Sequence, residues 1–221
     1  FKKIISLNPN FADAYSNMGV MLQEQGKLDE ALEFIRKAVQ LKPNYSNAYS
    51  NMGNVFKDQG KLQEAVDAYK KAISLNPNNA ETYSNMGGAL RDQGKLDKAI
   101  DVCIRALSID SNFILAYNNM GNILKDQGKL DKAIDAYNKS ISIDPDYADG
   151  HTNLSLTLLQ SGQIKAGLEE YEWRHKTEKG LSRQRYFQQP LWDGQVSLEN
   201  KKLFLWCEQG IGDTMNWSSC L

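Results

Sequence analysis

The sequence predicts an all-α solenoid of helix-turn-helix hairpins, followed by a short strand-loop-helix segment that begins an α/β domain. The first observation is a repeat: the pentapeptide Tyr15–Gly19 returns 34 residues on at Tyr49, again at Tyr83 and Tyr117, and in altered form at His151. The second is two apolar stretches of helical spacing in every period. The third is a glycine and usually a proline at fixed positions. A constant period of this length is typical of stacked repeats.

Each unit is predicted to contain two amphipathic helices, for example from Ser46 to about Gln59 and from about Leu62 to Leu75. Gly60 separates them, because glycine adopts the left-handed conformation that commonly ends a helix. Pro77 cannot continue the second helix. The absent side chain at Gly53 lets the paired helices approach closely. One hairpin cannot cover its own apolar face, so stability must come from stacking on its neighbours.

Composition excludes several classes of function. The 26 basic and 27 acidic residues nearly cancel, so no overall field attracts nucleic acid or an anionic membrane. No apolar run approaches the ~20 residues of a membrane span. Three scattered cysteines form neither a disulfide framework nor a zinc motif, which favours a reducing, cytoplasmic location. His151 and His175 lack a carboxylate or cysteine at ligand spacing, so no metal, cofactor or catalytic site is predicted, and His151 is predicted to pack.

The spacing of Tyr, Met-Gly, Gly, Ala and Pro resembles the tetratricopeptide repeat over about residues 11–178. That resemblance implies a right-handed superhelix whose first helices line a concave groove for a protein or peptide partner. The predicted repeats span 11–44, 45–78, 79–112, 113–146 and 147–179. Residues 1–10 are predicted to end a truncated upstream repeat, 180–200 to form a linker or cap, and 201–221 to start the truncated α/β domain.

An asparagine ladder is the leading candidate for peptide binding in this groove. It consists of Asn17, Asn51, Asn85, Asn119 and Asn153. An amide donates to a backbone carbonyl and accepts from a backbone N–H, so a ladder grips a peptide without selecting its sequence. It resembles the repeat region of O-linked N-acetylglucosamine transferases, where such asparagines hold extended substrate peptides. The alternative is that these asparagines only fix helix packing.

Other polar residues belong to the same predicted groove. They are Ser16, Ser50, Ser84, Asn54, Asn118, Asn122, Lys57, Arg91 and Lys125. An acid follows each of the three basic residues, which favours a self-neutralised face over an anion site. Serines stand where chaperone-tail clamps of this family carry their first lysine, and asparagines replace the clamp arginine. A chaperone-tail adaptor is therefore not expected.

The last residues carry a different pattern. Residues 202–207 are predicted to form a buried strand, and Gly210, Gly212 and Asp213 a glycine loop opening a helix. The segment resembles the junction of bacterial repeat proteins that continue into a glycosyltransferase-like domain, so the loop is a weak phosphate-site candidate beside the simpler tight turn. The open strand edge suggests self-association. Two functions follow: a non-enzymatic interaction scaffold, or the acceptor-recognition arm of a larger O-linked glycosyltransferase-like enzyme.

Overall fold

The computed structural model describes residues 2–177, and residues 2–173 belong to one compact unit. The described helices are α1 (Lys2–Leu7), α2 (Ala12–Glu24), α3 (Leu28–Leu41), α4 (Ser46–Asp58), α5 (Leu62–Leu75), α6 (Ala80–Asp92), α7 (Leu96–Ile109), α8 (Ile114–Asp126), α9 (Leu130–Ile143), α10 (Ala148–Gln160) and α11 (Ile164–Tyr171). We number the hairpins 1 to 5, from α2–α3 to α10–α11. The all-α hairpin repeat predicted from the sequence is confirmed in this part of the chain.

Glycine ends the first helix of every hairpin at the predicted place. Gly26, Gly60, Gly94, Gly128 and Gly162 all have positive φ, between 73° and 84°. The preceding helix stops two residues earlier, as at Asp58, and the second helix starts two residues later, as at Leu62. An L-residue with a side chain is strained in this left-handed region, so glycine fixes the turn.

Small residues bring the two helices of a hairpin together. Ala31, Ala65, Ala99 and Ala133, one in each of hairpins 1 to 4, have 0% of their surface exposed. Opposite them, the first helix carries a glycine that leaves room for a side chain from the second helix. A Cβ built on Gly53, for example, would lie 2.5 Å from the Tyr69 ring. The apolar core runs between neighbouring hairpins, so each hairpin covers the face of the next.

Hairpin 5 departs from the pattern around a histidine. His151 is 7% exposed and stacks on the Trp173 ring at 3.9 Å between ring centroids. Its Nδ1 lies 2.5 Å from a Glu170 carboxylate oxygen and its Nε2 3.0 Å from the Pro145 carbonyl oxygen. The sequence-based expectation that His151 has no carboxylate partner is wrong, because folding α11 back onto α10 brings Glu170 across the hairpin. Its predicted packing role is confirmed.

The second helix of this hairpin, with 8 residues, is also shorter than the 14-residue second helices of hairpins 1 to 4. It ends at Tyr171, where a 3-10 turn over Glu172–Lys176 begins. The predicted linker or cap at 180–200, the strand at 202–207 and the loop of Gly210, Gly212 and Asp213 all lie outside the described residues. The start of an α/β domain, self-association through that strand and a cytoplasmic location therefore stay predictions. Within residues 2–177, no helix combines the length and apolarity that crossing a membrane requires.

Candidate peptide-binding face

The asparagine ladder lies on successive first helices, one residue per hairpin, and three of its members bridge to the helix before. We call the side of α2, α4, α6, α8 and α10 that carries it the ladder face. The bridges run from Asn51 Nδ2 to Ser16 Oγ at 3.0 Å, from Asn119 Nδ2 to Ser84 Oγ at 2.9 Å, and from Asn153 Nδ2 to Asn118 Oδ1 at 3.0 Å. Asparagine therefore links consecutive hairpins, as the packing alternative requires.

The bridging amides keep part of their hydrogen-bonding capacity. An asparagine amide has two N–H donors and an oxygen with two lone pairs. In Asn51 and Asn153 the bridge uses Nδ2 once, while Asn119 Nδ2 also donates to the Ser84 carbonyl oxygen at 3.2 Å. Their Oδ1 atoms accept no hydrogen bond from the described residues. The bridges thus fix the orientation of these amides and leave acceptors at the surface, so packing and binding are compatible.

Asn85 breaks the bridging pattern in the middle of the ladder. The equivalent acceptor, Ser50 Oγ, receives a hydrogen bond from Thr82 Oγ1 at 3.2 Å instead. Asn85 is half-buried and, within residues 2–177, its amide makes no hydrogen bond. Asn17, at the exposed first rung, is unbonded there as well. Asn85 consequently offers the whole amide to a ligand.

Two further residues of the predicted groove, Asn54 and Asn122, are oriented by buried tyrosines. The Tyr69 hydroxyl donates to Asn54 Oδ1 at 2.7 Å, and the Tyr137 hydroxyl donates to Asn122 Oδ1 at 2.9 Å. Burial raises the pKa of both tyrosines well above the usual value, so both remain neutral donors. Each asparagine therefore turns its N–H groups away from the tyrosine.

The basic residues of the predicted groove do not share one arrangement. Arg91 Nε pairs with Asp126 Oδ2 of the next hairpin at 2.5 Å, not with the acid that follows it in sequence. Lys57 Nζ lies 3.8 Å from the position of a Cβ built on Gly88. Neither Lys57 nor Lys125 has a carboxylate within ion-pair distance among the described residues. Burial lowers the pKa of Lys125, against the opposing effect of Asp126. Self-neutralisation holds for Arg91 alone.

Sequence reasoning missed the partners that orient these groups, namely Thr82, Tyr69 and Tyr137. A signal for the tyrosines was available: tyrosine and the asparagine 15 residues before it occur together in hairpins 2 and 4. Hairpins 1 and 3 have neither residue: Val20 and Gly88 stand at the asparagine position, and Ile35 and Cys103 stand at the tyrosine position. No group of three or more potential metal ligands occurs in the described part of the chain.

Comparisons with known proteins agree with the hairpin architecture. A family model described as TPR repeat matches residues 53–90, 87–128 and 121–162, and a second model, tetratricopeptide repeat, matches residues 12–45. A comparison with curated proteins gave no significant match.

Three solved structures illustrate the similarity. MamA is 25% identical, with 75% of this chain and 97% of that chain covered and a TM-score of 0.59. YrrB, described as a TPR protein with an unusual peptide-binding site, is 26% identical, with coverage of 81% and 92% and a TM-score of 0.55. PilF of Pseudomonas aeruginosa, at 21% identity, 75% coverage of both chains and a TM-score of 0.68, supports the fold alone.

Proposed function

Because this chain belongs to the tetratricopeptide-repeat family, whose members are generally protein-interaction scaffolds, we propose that it holds an extended peptide segment of a partner protein on its ladder face. The observation that carries this proposal is the fixed orientation of the ladder amides. Asn51, Asn119 and Asn153 are held by bonds to the preceding helix while their Oδ1 atoms remain available. A row of oriented acceptors is suited to the N–H groups of an extended backbone.

Orientation matters because each contact is weak. One hydrogen bond contributes about 0.5 to 1.5 kcal/mol net, so useful affinity needs several rungs at once. Binding also costs about 0.5 to 1.5 kcal/mol for each flexible side chain that becomes ordered. The bridging amides are ordered before a ligand arrives, so this cost is reduced. The description of YrrB as peptide-binding supports the same class of ligand for a related fold.

Asn85 permits a test that separates binding from stability. Asn85→Ala removes a ladder amide that makes no hydrogen bond within the described residues, so we expect weaker peptide binding and an unchanged melting temperature. The probe is a short acetylated and amidated peptide of alanine, serine and glycine, titrated into ¹⁵N-labelled protein. Chemical-shift changes report the affinity. Asn51→Ala and Asn119→Ala should weaken binding and also lower the melting temperature, since each breaks a bridge.

The matched control is Asn138→Ala, which removes an exposed asparagine from α9, a second helix outside the ladder face. It should bind the peptide as the unmodified protein does. If Asn85→Ala and the combined Asn51, Asn85 and Asn119 variant also bind as well as the control, the asparagines serve packing only and the proposal fails.

The second hypothesis, an acceptor-recognition arm of a glycosyltransferase-like enzyme, depends on residues 201–221. These lie outside the described part, so the hypothesis remains a sequence-based prediction. It predicts that the reading frame continues into an α/β domain.

A further inference from the structure

One helix of the ladder face carries hydrogen-bond donors without matching acceptors. Asn118, Asn122 and Lys125 are spaced by four and three residues on α8, so they share one side of the helix. We call these three residues the donor stripe. Over two turns of helix the stripe spans about 10 Å, at a rise of about 1.5 Å per residue.

Both amides of the stripe have their oxygen occupied inside the protein. Asn118 Oδ1 accepts from Asn153 Nδ2, and Asn122 Oδ1 accepts from the Tyr137 hydroxyl. Their N–H groups make no hydrogen bond within residues 2–177. Asn118 is 8% exposed and Asn122 is half-buried. Among the described residues, the side-chain atoms that are both fully buried and unpaired belong to Gln59 and Gln93, so the Nδ2 atoms of both stripe asparagines keep some contact with solvent. The two asparagines therefore keep both N–H donors for a ligand, while each oxygen already accepts one hydrogen bond inside the protein.

The third member of the stripe adds an uncompensated positive charge. Lys125 is half-buried and has no carboxylate within ion-pair distance among the described residues. The nearby charges are Arg91 and Asp126, which are paired with each other. With Lys125 these three groups sum to one positive charge. A negative ligand group would meet two amide donors and this charge together.

The corresponding positions of the other first helices lack this combination. They are Ser16, Val20 and Gln23 on α2, Ser50, Asn54 and Lys57 on α4, Ser84, Gly88 and Arg91 on α6, and Thr152, Leu156 and Leu159 on α10. The α4 set is the most similar. There, beside burial, the negative charges of Asp58, Asp92 and Glu81 raise the pKa of Tyr69, the hydrogen-bond partner of Asn54. Their negative charge opposes an anion there. The corresponding tyrosine beside α8 is instead influenced by Arg91 and Asp126, which offset each other.

We propose that the donor stripe of Asn118, Asn122 and Lys125 is a subsite for an acidic side chain of the bound peptide. The proposal rests on the proposed function and makes it more specific: the peptide's backbone lies on the ladder, and one glutamate or aspartate is selected at α8. Ladder residues continue on both sides of the stripe, Asn85 on α6 and Asn153 on α10. The peptide therefore passes through the subsite, and the carboxylate comes from a side chain and not from the chain end.

The test compares three peptides on ¹⁵N-labelled protein. The first is the acetylated and amidated alanine-serine-glycine peptide with a central glutamate, the second has glutamine there, and the third has glutamine and a free C-terminal carboxylate. Charge-assisted hydrogen bonds are roughly twice as strong as neutral ones, so we expect the glutamate peptide to bind at least about fivefold more tightly than the other two. Added salt should reduce this preference.

Variants assign the preference to the stripe. Lys125→Gln should remove the discrimination between glutamate and glutamine. Tyr137→Phe should reduce it, because the Asn122 amide loses the partner that turns its N–H groups outward. Lys98→Gln, which removes an exposed lysine from α7, is the matched control and should retain it. Circular dichroism melting verifies that each variant is folded.

The outcomes distinguish this inference from the proposed function. Equal binding of all three peptides, weakened by Asn85→Ala, overturns the subsite and leaves the ladder proposal standing. Preference for the free C-terminal carboxylate overturns a side-chain source. A glutamate preference that survives Lys125→Gln places the selection elsewhere and also overturns the subsite. In a further outcome, Lys125→Gln abolishes binding of the glutamate peptide and the ladder variants leave it unchanged. This result would support the subsite and overturn the ladder proposal. No binding of any peptide overturns both.

Discussion

Hairpins 1 and 3 differ from hairpins 2 and 4 in the side chain that fills the same buried slot. In each, a glycine of the first helix receives a residue 16 positions later on the second helix. The pairs are Gly19 with Ile35, Gly53 with Tyr69, Gly87 with Cys103 and Gly121 with Tyr137. All four incoming residues have 0% of their surface exposed. The slot therefore accommodates side chains of very different size, provided that the glycine is kept.

The side chains in the slot differ in whether they need a hydrogen-bond partner. A buried hydroxyl without a partner costs about 1 to 3 kcal/mol, so tyrosine occurs where Asn54 or Asn122 accepts its hydrogen bond. Isoleucine has no such need, and hairpin 1 accordingly carries Val20 at the asparagine position. In hairpins 2 and 4 the buried tyrosine and the asparagine that it bonds form one unit, so the core determines which amide atoms these hairpins present on the ladder face.

Emptying the slot should have the largest effect on stability. Tyr69→Ala should cost about 3 to 5 kcal/mol of unfolding free energy, as for other buried aromatic residues, because it leaves a large cavity. Cys103→Ala at the same position of hairpin 3 removes far less volume and should cost about 1 kcal/mol. Urea denaturation followed by circular dichroism measures both. Equal losses would show that the slots are not equivalent in packing.

The second test fills the slot from the glycine side. A Cβ at Gly53 would lie 2.5 Å from a Tyr69 ring carbon, so Gly53→Ala should destabilise by about 1 to 3 kcal/mol through overpacking. Gly88→Ala is the matched control on the next first helix, where the nearest atom is Lys57 Nζ at 3.8 Å. There alanine should stabilise by about 0.5 to 1 kcal/mol, because it favours the helix. The same sign of effect at both sites would contradict this account.

A double-mutant cycle measures the coupling free energy between Tyr69 and Asn54. Tyr69→Phe should cost about 0.5 to 1.5 kcal/mol, the net value of one hydrogen bond. Asn54→Val, which copies hairpin 1, leaves the hydroxyl buried without its acceptor and should cost more. The double variant should cost less than the sum of the two. Additive losses in thermal or urea unfolding would mean that the residues are not coupled.

The smallest expected effect concerns the ion pair between hairpins 3 and 4. Asp126→Asn should lower the unfolding free energy by about 0.2 to 1 kcal/mol, because both side chains of the Arg91–Asp126 pair are partly exposed. The loss should diminish in high salt. Asp131→Asn on α9, an exposed acid without an ion pair among the described residues, is the control. A loss that is insensitive to salt would indicate a packing role for Asp126.

The repeat made most of the fold predictable. The period located the hairpins, the glycines located the turns, and α5 lies over the predicted range of about Leu62 to Leu75. The repeat also predicted that the candidate residues lie on successive first helices, but not how their amides are oriented. Which way the Asn119 or Asn122 amide turns depends on Ser84 and Tyr137, which only folding brings near. The Glu170 partner of His151 was missed for the same reason: 19 residues separate them along the chain.

The bonds between successive first helices all join residues at the same separation along the sequence, and this has an evolutionary consequence. The Asn51–Ser16, Asn119–Ser84 and Asn153–Asn118 bridges, like the Arg91–Asp126 pair, join residues 35 apart, one more than the repeat. Excision of residues 79–112 would therefore bring Asn119 into register with Ser50, an acceptor of the same type as Ser84. Duplication of a whole unit recreates donor and acceptor in the same way. Such a chain gains or loses length in steps of one hairpin, and a junction whose second hairpin carries Asn51, Asn119 or Asn153 keeps its bridge, whereas one that carries Asn85 does not.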